Sequence, residues 1–314
     1  MKTNNSIRRA AIIGRGAVGL TMASFLEQGR QQGVLDEFVF IADPDRVSRY
    51  RNTPLEINDQ PIDFHYLSTD ENKPEMDLVL FTCKSFALEE AMEEAAPFID
   101  VHTIVMSALN GMNSEERLQK RFPKNRVIHT IAQKMDSGYD PKAQKMTFTK
   151  PGELVIGVID PSLDESLDEV CVLFDACGLP YIRSEQILKD QASKLMANCG
   201  INQVCAAYGK TYGQVVSDPD LRALLKGAMN ETRKVLALRD LDPGEEKVDA
   251  WVAAFEALDP DSRPSMAQDV LYGRPMEMDL FSGSVVPIAR ENGIEVPILE
   301  DLYERLKRKG ELHD

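Results

Sequence analysis

The chain has 314 residues, 43% of them hydrophobic, and carries 36 Lys plus Arg against 51 Asp plus Glu, a formal net charge of −15. That length suggests about two domains, with material for two cores. The acidic balance repels nucleic acid and anionic membrane surfaces, so neither is expected as a partner, and an anionic substrate must be drawn in by a local cationic pocket.

The first predicted element is a buried parallel strand, Ala10 to Ile13, followed at once by the glycines Gly14, Gly16 and Gly19 of a Gly-x-Gly-x-x-Gly run and by a helix from Ala17 to Leu26. In such a strand-turn-helix the first glycine permits the tight turn, the second lets backbone approach a pyrophosphate, and the third lets helix and strand pack closely. The helix N-terminus then offers unpaired N–H groups to the phosphates. A second strand, Glu37 to Asp43, ends in an acid roughly 20 to 30 residues past the glycines, where a ribose hydroxyl would be met. Asp43 favours NAD, because a carboxylate repels a 2′-phosphate. Arg46 and Arg49 follow within a turn or two, either as a phosphate-binding pair or as a solvated helix face.

Two more central strands are expected over Asp77 to Cys83 and Thr103 to Ala108, a later one over Leu154 to Ile159, and a helix over Leu163 to Ala176 ended by Gly178. After about Ser184 the strand signals fade. Ile187 to Tyr208 reads as one long helix, Asp218-Pro219 as the cap and first residue of a helix running to about Asp240, and Asp242 to Gly244 as a break. A further helix is expected from Pro275 to Asn292-Gly293, and Pro297 should open the last one. The fold class expected is an α/β N-terminal Rossmann domain with a doubly wound, mostly parallel sheet over residues 1–184, followed by an all-α substrate domain over 185–314.

Five cysteines, Cys83, Cys171, Cys177, Cys199 and Cys205, are odd in number and lack C-x-x-C spacing, so they read as buried thiols of a reducing cytoplasm. The histidines His65, His102, His129 and His313 lack metal-ligand spacing, and no metal is expected. No apolar run reaches the ~18 residues needed to span a bilayer, and a soluble cytoplasmic protein is expected.

Ligands of an open α/β sheet bind at the carboxyl ends of the strands, which draws attention to Lys84 and to Asn110-Gly111, each also readable as ordinary loop punctuation. In the helical half, Lys194, Asn198 and Asn202 stand at i, i+4 and i+8. That spacing stacks an ammonium and two amides on one face of a helix whose neighbouring residues Leu195, Met196, Ile201 and Val204 are apolar. Such a row needs partners or a ligand if buried, and is a solvated stripe if not. Further on, the carboxylates of Asp269 and Glu277 could orient a lysine ammonium.

The stretches GRGAVG, TCKSF, LNGM, SKLMANCGIN and PSMAQDVLYGRPMEMD, occurring together and in this order, resemble the ketopantoate reductase (2-dehydropantoate 2-reductase) family. The resemblance implies an NADPH-binding Rossmann domain followed by a helical domain, with substrate and nicotinamide meeting in the cleft between them. Hydride would pass to the ketone of 2-dehydropantoate, giving pantoate for pantothenate biosynthesis. It implies that Lys194 polarises the ketone oxygen and delivers its proton as general acid, with Glu277 as its acidic partner, also touching the cofactor. Asn198, Asn202 and Ser265 would bind substrate, Asn110 both substrate and cofactor, and Asp269 would support the geometry. Gly14, Arg15, Gly16, Ala17, Val18, Gly19, Asp43, Arg46 and Lys84 would bind the cofactor. One position departs from the family pattern: where members commonly place an arginine for the 2′-phosphate, this chain has Asp43. The expected cofactor is therefore NADPH, with NADH admitted by Asp43, and Arg46 or Arg49 would have to replace the missing arginine. Reduction of another branched 2-keto acid and an opine-type dehydrogenase stay open as alternatives. A non-catalytic nucleotide sensor would need neither Lys194 nor Glu277. A homodimer, the commonest closed assembly, is left open by the sequence.

Overall fold

The computed structural model describes residues 6–71 and 74–310. The chain divides into two compact units, Met1–Ile187 and Leu188–Asp314. His313 lies outside the described residues.

The first unit contains the strands β1 (Arg9–Ile13), β2 (Glu37–Ala42), β3 (Leu55–Ile57), β4 (Gln60–Ile62), β5 (Tyr66–Ser68), β6 (Leu78–Phe81), β7 (Ile104–Ser107), β8 (Arg126–Gln133), β9 (Gly138–Asp140), β10 (Lys145–Thr147), β11 (Glu153–Gly157) and β12 (Tyr181–Arg183). Between them run α1 (Ala17–Gln31), α2 (Pro44–Arg51), α3 (Leu88–Ala95), α4 (Ser114–Arg121) and α5 (Asp164–Cys177). Eight strands form one sheet in the order β12-β11-β8-β7-β6-β1-β2-β5. Every neighbouring pair in it is parallel except β8 and β11. Both faces are covered. Ala10, Ile12, Phe38 and Phe40 belong to one core cluster, and their chain neighbours Ala11, Ile13, Val39 and Ile41 to another. This two-sided burial is why these strands are continuous apolar runs rather than alternating ones.

The sequence pattern locates β1, β2, β6, β7 and β11 to within a few residues, and α5 ends as expected with Gly178 in the left-handed conformation, at φ +68°. Asp43 lies just past the end of β2, as the residue that caps α2: its carboxylate accepts the Arg46 N–H at 2.9 Å. A second, four-stranded sheet in the order β4-β3-β10-β9 is not anticipated by the sequence pattern, nor is β8.

The second unit is helical: α6 (Ile187–Tyr208), α7 (Tyr212–Ser217), α8 (Pro219–Leu236), α9 (Glu245–Glu256), α10 (Ser265–Leu271), α11 (Ser282–Glu291) and α12 (Pro297–Gly310). Helices α6 and α8 and the start of α12 fall where the sequence places them; α9 is an addition. The helix expected from Pro275 begins only at Ser282. Residues Met278–Leu280 form a separate 3-10 turn, and Phe281 leaves helical geometry at φ −112° and ψ −110°.

Side chains of neighbouring helices satisfy the open N–H groups at three helix starts. Asn202 Oδ1 accepts from Met266 N at 3.3 Å for α10, Gln203 Oε1 from Ser282 N at 3.4 Å for α11, and the Glu231 carboxylate from Ile298 N and Leu299 N at 3.1 and 2.9 Å for α12. Cys177, Cys199 and Cys205 are buried thiols as expected, whereas Cys83 and Cys171 keep partial exposure. No described helix is long and apolar enough to cross a membrane.

Candidate active site

In the first unit, parallel pairing gathers the candidate residues along one edge of the sheet. The register aligns Ile13 with Phe81 and Phe81 with Ser107, and β2 lies on the other side of β1. The loops that follow these four strands therefore emerge side by side: Gly14 to Gly19 after β1, Asp43 after β2, Lys84 after β6 and Asn110 after β7. Each lies at a carboxyl end, where open α/β sheets bind ligands.

The glycine loop is built for close approach. Gly14 has φ +113°, and a Cβ there would lie 2.5 Å from Cys83 N; a Cβ on Gly19 would lie 2.0 Å from Gly14 O. Neither position admits a side chain. Thr82, which sequence reasoning missed, pins the turn by donating its hydroxyl to Gly14 O at 2.7 Å. Around Gly16 the situation reverses. A Cβ would meet nothing within 4 Å, and Gly16 starts the 15-residue helix α1 without any side-chain cap. An open backbone face at an uncapped helix start, flanked by Ala17 and Val18, fits a pyrophosphate.

Arg15, between the first two glycines, is 8% exposed, and its guanidinium reaches the turn between β9 and β10 and the Tyr50 ring of α2, with Nε and Nη2 buried and without a hydrogen-bond partner among the described residues. Nη1 donates to Gln144 Oε1 at 2.7 Å, and the guanidinium carbon lies 4.4 Å from the Tyr50 ring centroid. Arg46 is neither a solvated charge nor an open phosphate receptor. Half-buried, it reaches Asp43 at 2.9 Å, Glu90 at 3.0 Å and Glu94 at 3.5 Å. Arg49 is exposed. Lys84 and Asn110 are both half-buried, and Gly111 next to Asn110 takes the left-handed conformation at φ +88°.

In the second unit, Lys194, Asn198 and Asn202 lie on α6 as the spacing requires, and the solvated-stripe alternative fails. Asn202 is 6% exposed and donates from Nδ2 to Asn198 Oδ1 at 2.9 Å. Its own oxygen accepts from Ser265 Oγ at 3.3 Å as well as from Met266 N. Asn202 thus links α6 to the start of α10 and fixes the neighbouring amide. With its oxygen so used, Asn198 has its NH2 group to offer a ligand carbonyl or carboxylate.

The Lys194 side chain keeps some surface, yet its ammonium is buried deeply enough that desolvation pushes its pKa down to about 8, and the Glu277 carboxylate acts in the opposite sense by favouring the charged form. Glu277 is itself 7% exposed. Asp269 pairs with Arg274 at 3.0 Å, and Arg274 N donates to Asp269 O at 2.8 Å. That pairing fastens the turn leading from α10 to Glu277. Trp251, on the unanticipated α9, donates from Nε1 to Ser193 Oγ at 2.9 Å, so it braces α6 one residue from Lys194.

Comparison with known proteins places these features in a family. The family description "Ketopantoate reductase PanE/ApbA" matches residues 10–161, and "Ketopantoate reductase PanE/ApbA C terminal" matches residues 186–310. The chain is similar to 2-dehydropantoate 2-reductase of Vibrio cholerae, at 24% identity over 94% of this chain and 96% of that one. The Aquifex aeolicus 2-dehydropantoate 2-reductase is 25% identical over 74% and 76%. Among solved structures, a PanE/ApbA family ketopantoate reductase from Ralstonia eutropha superposes with a TM-score of 0.82 at 24% identity, covering 97% and 99% of the two chains. A D-mandelate dehydrogenase solved with NADH and anilino(oxo)acetate reaches a TM-score of 0.84 at 19% identity, with the same coverage.

Proposed function

The chain belongs to the ketopantoate reductase family, and on that premise we propose that it reduces 2-dehydropantoate to pantoate with a reduced nicotinamide dinucleotide, Lys194 acting as general acid. The observation that carries the reading is the Lys194 ammonium, desolvated to a pKa of about 8 and balanced by the charge of Glu277, on the helix face that also bears Asn198 and Asn202.

The bound nicotinamide supplies the hydride. The residues of the chain do the rest. Backbone N–H groups of Gly16, Ala17 and Val18 at the start of α1 receive the pyrophosphate, Asp43 meets the ribose, and Lys84 and Asn110 close the sheet edge around the nucleotide. Arg15 lies in the same loop, its guanidinium bonded through Nη1 to Gln144. As the carbon–oxygen double bond gives way to a new C–H bond, negative charge develops on the ketone oxygen. A cation placed there stabilises the transition state more than the ground state. Lys194 Nζ then transfers a proton to that oxygen and is re-protonated from water, so one hydride and one proton together reduce the ketone to the alcohol. A pKa near the working pH suits this, because the ammonium is mostly charged before reaction yet yields its proton readily. Asn198, oriented by Asn202, and the Ser265 hydroxyl hold the keto acid.

The test is the loss of reduced-nicotinamide absorbance with 2-dehydropantoate, run beside phenylglyoxylate, the keto acid that corresponds to mandelate. A kcat/KM at least tenfold higher for 2-dehydropantoate supports the reading. A preference for phenylglyoxylate would redirect the substrate, and turnover of neither would overturn the assignment.

A further inference from the structure

We propose that the dinucleotide is NADH rather than NADPH, because the position that would meet the ribose 2′ group presents three carboxylates, Asp43, Glu90 and Glu94, that hold Arg46 among them and leave an excess of negative charge. This rests on the reading that the first unit binds a nicotinamide dinucleotide. Asp43 stands at the carboxyl end of β2, the strand paired with β1 and its glycine loop, which is where a ribose diol is met in folds of this kind. Its side chain remains partly exposed. Although one oxygen accepts the Arg46 N–H and the other Arg46 Nε, both at 2.9 Å, a carboxylate has about four acceptor sites and can still take a ribose hydroxyl.

Two of the three arginines of helix α2 are otherwise engaged. To bind a 2′-phosphate, Arg46 would have to leave Asp43, Glu90 and Glu94. Arg51 is paired with Glu71 at 2.7 Å. Arg49 is exposed, so its attraction is screened by solvent and salt. The N-terminus of α2 offers little compensation, since Asp43 caps it and Asp45 lies in its first turn. Glu94 is 9% exposed with its Oε2 buried and without a hydrogen-bond partner. Burial pushes its carboxyl up to about 6, so it is charged at pH 7.5. Three carboxylates against one guanidinium leave a local charge of about −2, and a 2′-phosphate would bring nearly as much again of the same sign.

Calorimetric titration of the full chain at pH 7.5 with ADP-ribose and with 2′-phospho-ADP-ribose isolates this half of the cofactor from turnover. ADP-ribose should bind at least tenfold tighter, and the ratio should shrink between about 20 and 300 mM salt as the repulsion is screened. In the double variant Glu90→Gln/Glu94→Gln, which removes two of the three charges around Arg46 and leaves it paired with Asp43 alone, the phosphorylated ligand should gain about tenfold on ADP-ribose. Equal affinities, or tighter binding of the phosphorylated ligand, would overturn the inference and leave the proposed reductase standing. A ratio that does not respond to salt would overturn the electrostatic basis. Binding of neither ligand would remove the dinucleotide reading and this inference with it. The unmodified chain decides the preference alone if the double variant fails to fold.

Discussion

The burial of Lys194 makes the pH dependence of the reaction a specific prediction. With its ammonium pushed down to about 8, about nine-tenths of the chain carries the proton at pH 7 and about one-tenth at pH 9. A general acid must be protonated to act, so kcat/KM for ketone reduction should be level below pH 7 and fall about tenfold between pH 7 and 9. Oxidation of the alcohol needs the neutral amine as base and should rise through the same pH, so the two directions move oppositely. The Glu277 charge favours the ammonium, and Glu277→Gln should therefore shift the limb to lower pH. Lys194→Gln should lower turnover by about 10² to 10⁴ and abolish the limb, while ADP-ribose affinity stays within about twofold. Steady-state absorbance assays in both directions, from pH 6 to 9.5, provide the profile. A basic limb that survives in Lys194→Gln, or forward and reverse rates that change in the same sense, would refute the assignment.

Further outcomes follow from the same structure. Because the folded pKa of Lys194 lies below its unfolded value of 10.5, the unfolded chain binds more protons between pH 8 and 10.5. Over that window the protein should gain about 3 kcal/mol of stability relative to Lys194→Met, measured by urea unfolding at several pH values; a constant difference would show that the ammonium is not desolvated. Gly19→Ala places a Cβ 2.0 Å from Gly14 O and should cost about 1 to 3 kcal/mol of stability and weaken ADP-ribose more than tenfold; unaltered binding would mean the loop can relax. Asn202→Ala removes the acceptor at the start of α10 and the donor to Asn198. It should cost about 1 kcal/mol and raise KM for the keto acid more than it lowers kcat, an outcome that equal changes in both would contradict.

What the sequence reveals and what it hides differ for physical reasons. The glycine loop, the limits of α6 and the Gly178 terminus are local, set by backbone freedom and helical spacing within a few residues. Strand β8 is hidden because its burial follows neither clean alternation nor a continuous run: polar Arg126 and Gln133 bound it, half-buried His129 interrupts it, and it joins the parallel β7 to the antiparallel β11. The small sheet is hidden because its strands are three residues long and β3 finds its parallel partner in β10, far along the chain. Helix α9 does carry a signal, the buried Val248, Val252 and Phe255 at helical spacing, masked by the preceding Asp-Pro-Gly break.

At the candidate site, the row Lys194, Asn198 and Asn202 is legible as a face, but its hierarchy is not. Only the fold shows that Asn202 supports Asn198 and α10, that Asp269 pairs with Arg274, and that Arg46 is enclosed by carboxylates, two of which come from α3. Side chains that act across long sequence separations leave no periodic trace.

The central claim, hydride delivery to a ketone of 2-dehydropantoate with proton delivery by Lys194, is tested most directly by isotope transfer. The protein is incubated with 2-dehydropantoate and nicotinamide dinucleotide deuterated at the transferring C4 position, and the product is analysed by mass spectrometry. The product should be pantoate one mass unit heavier, with deuterium at C2, formed by the unmodified chain and at a rate lower by at least about 10² with Lys194→Gln. Unlabelled pantoate, or labelled pantoate formed at equal rates by both proteins, would contradict it.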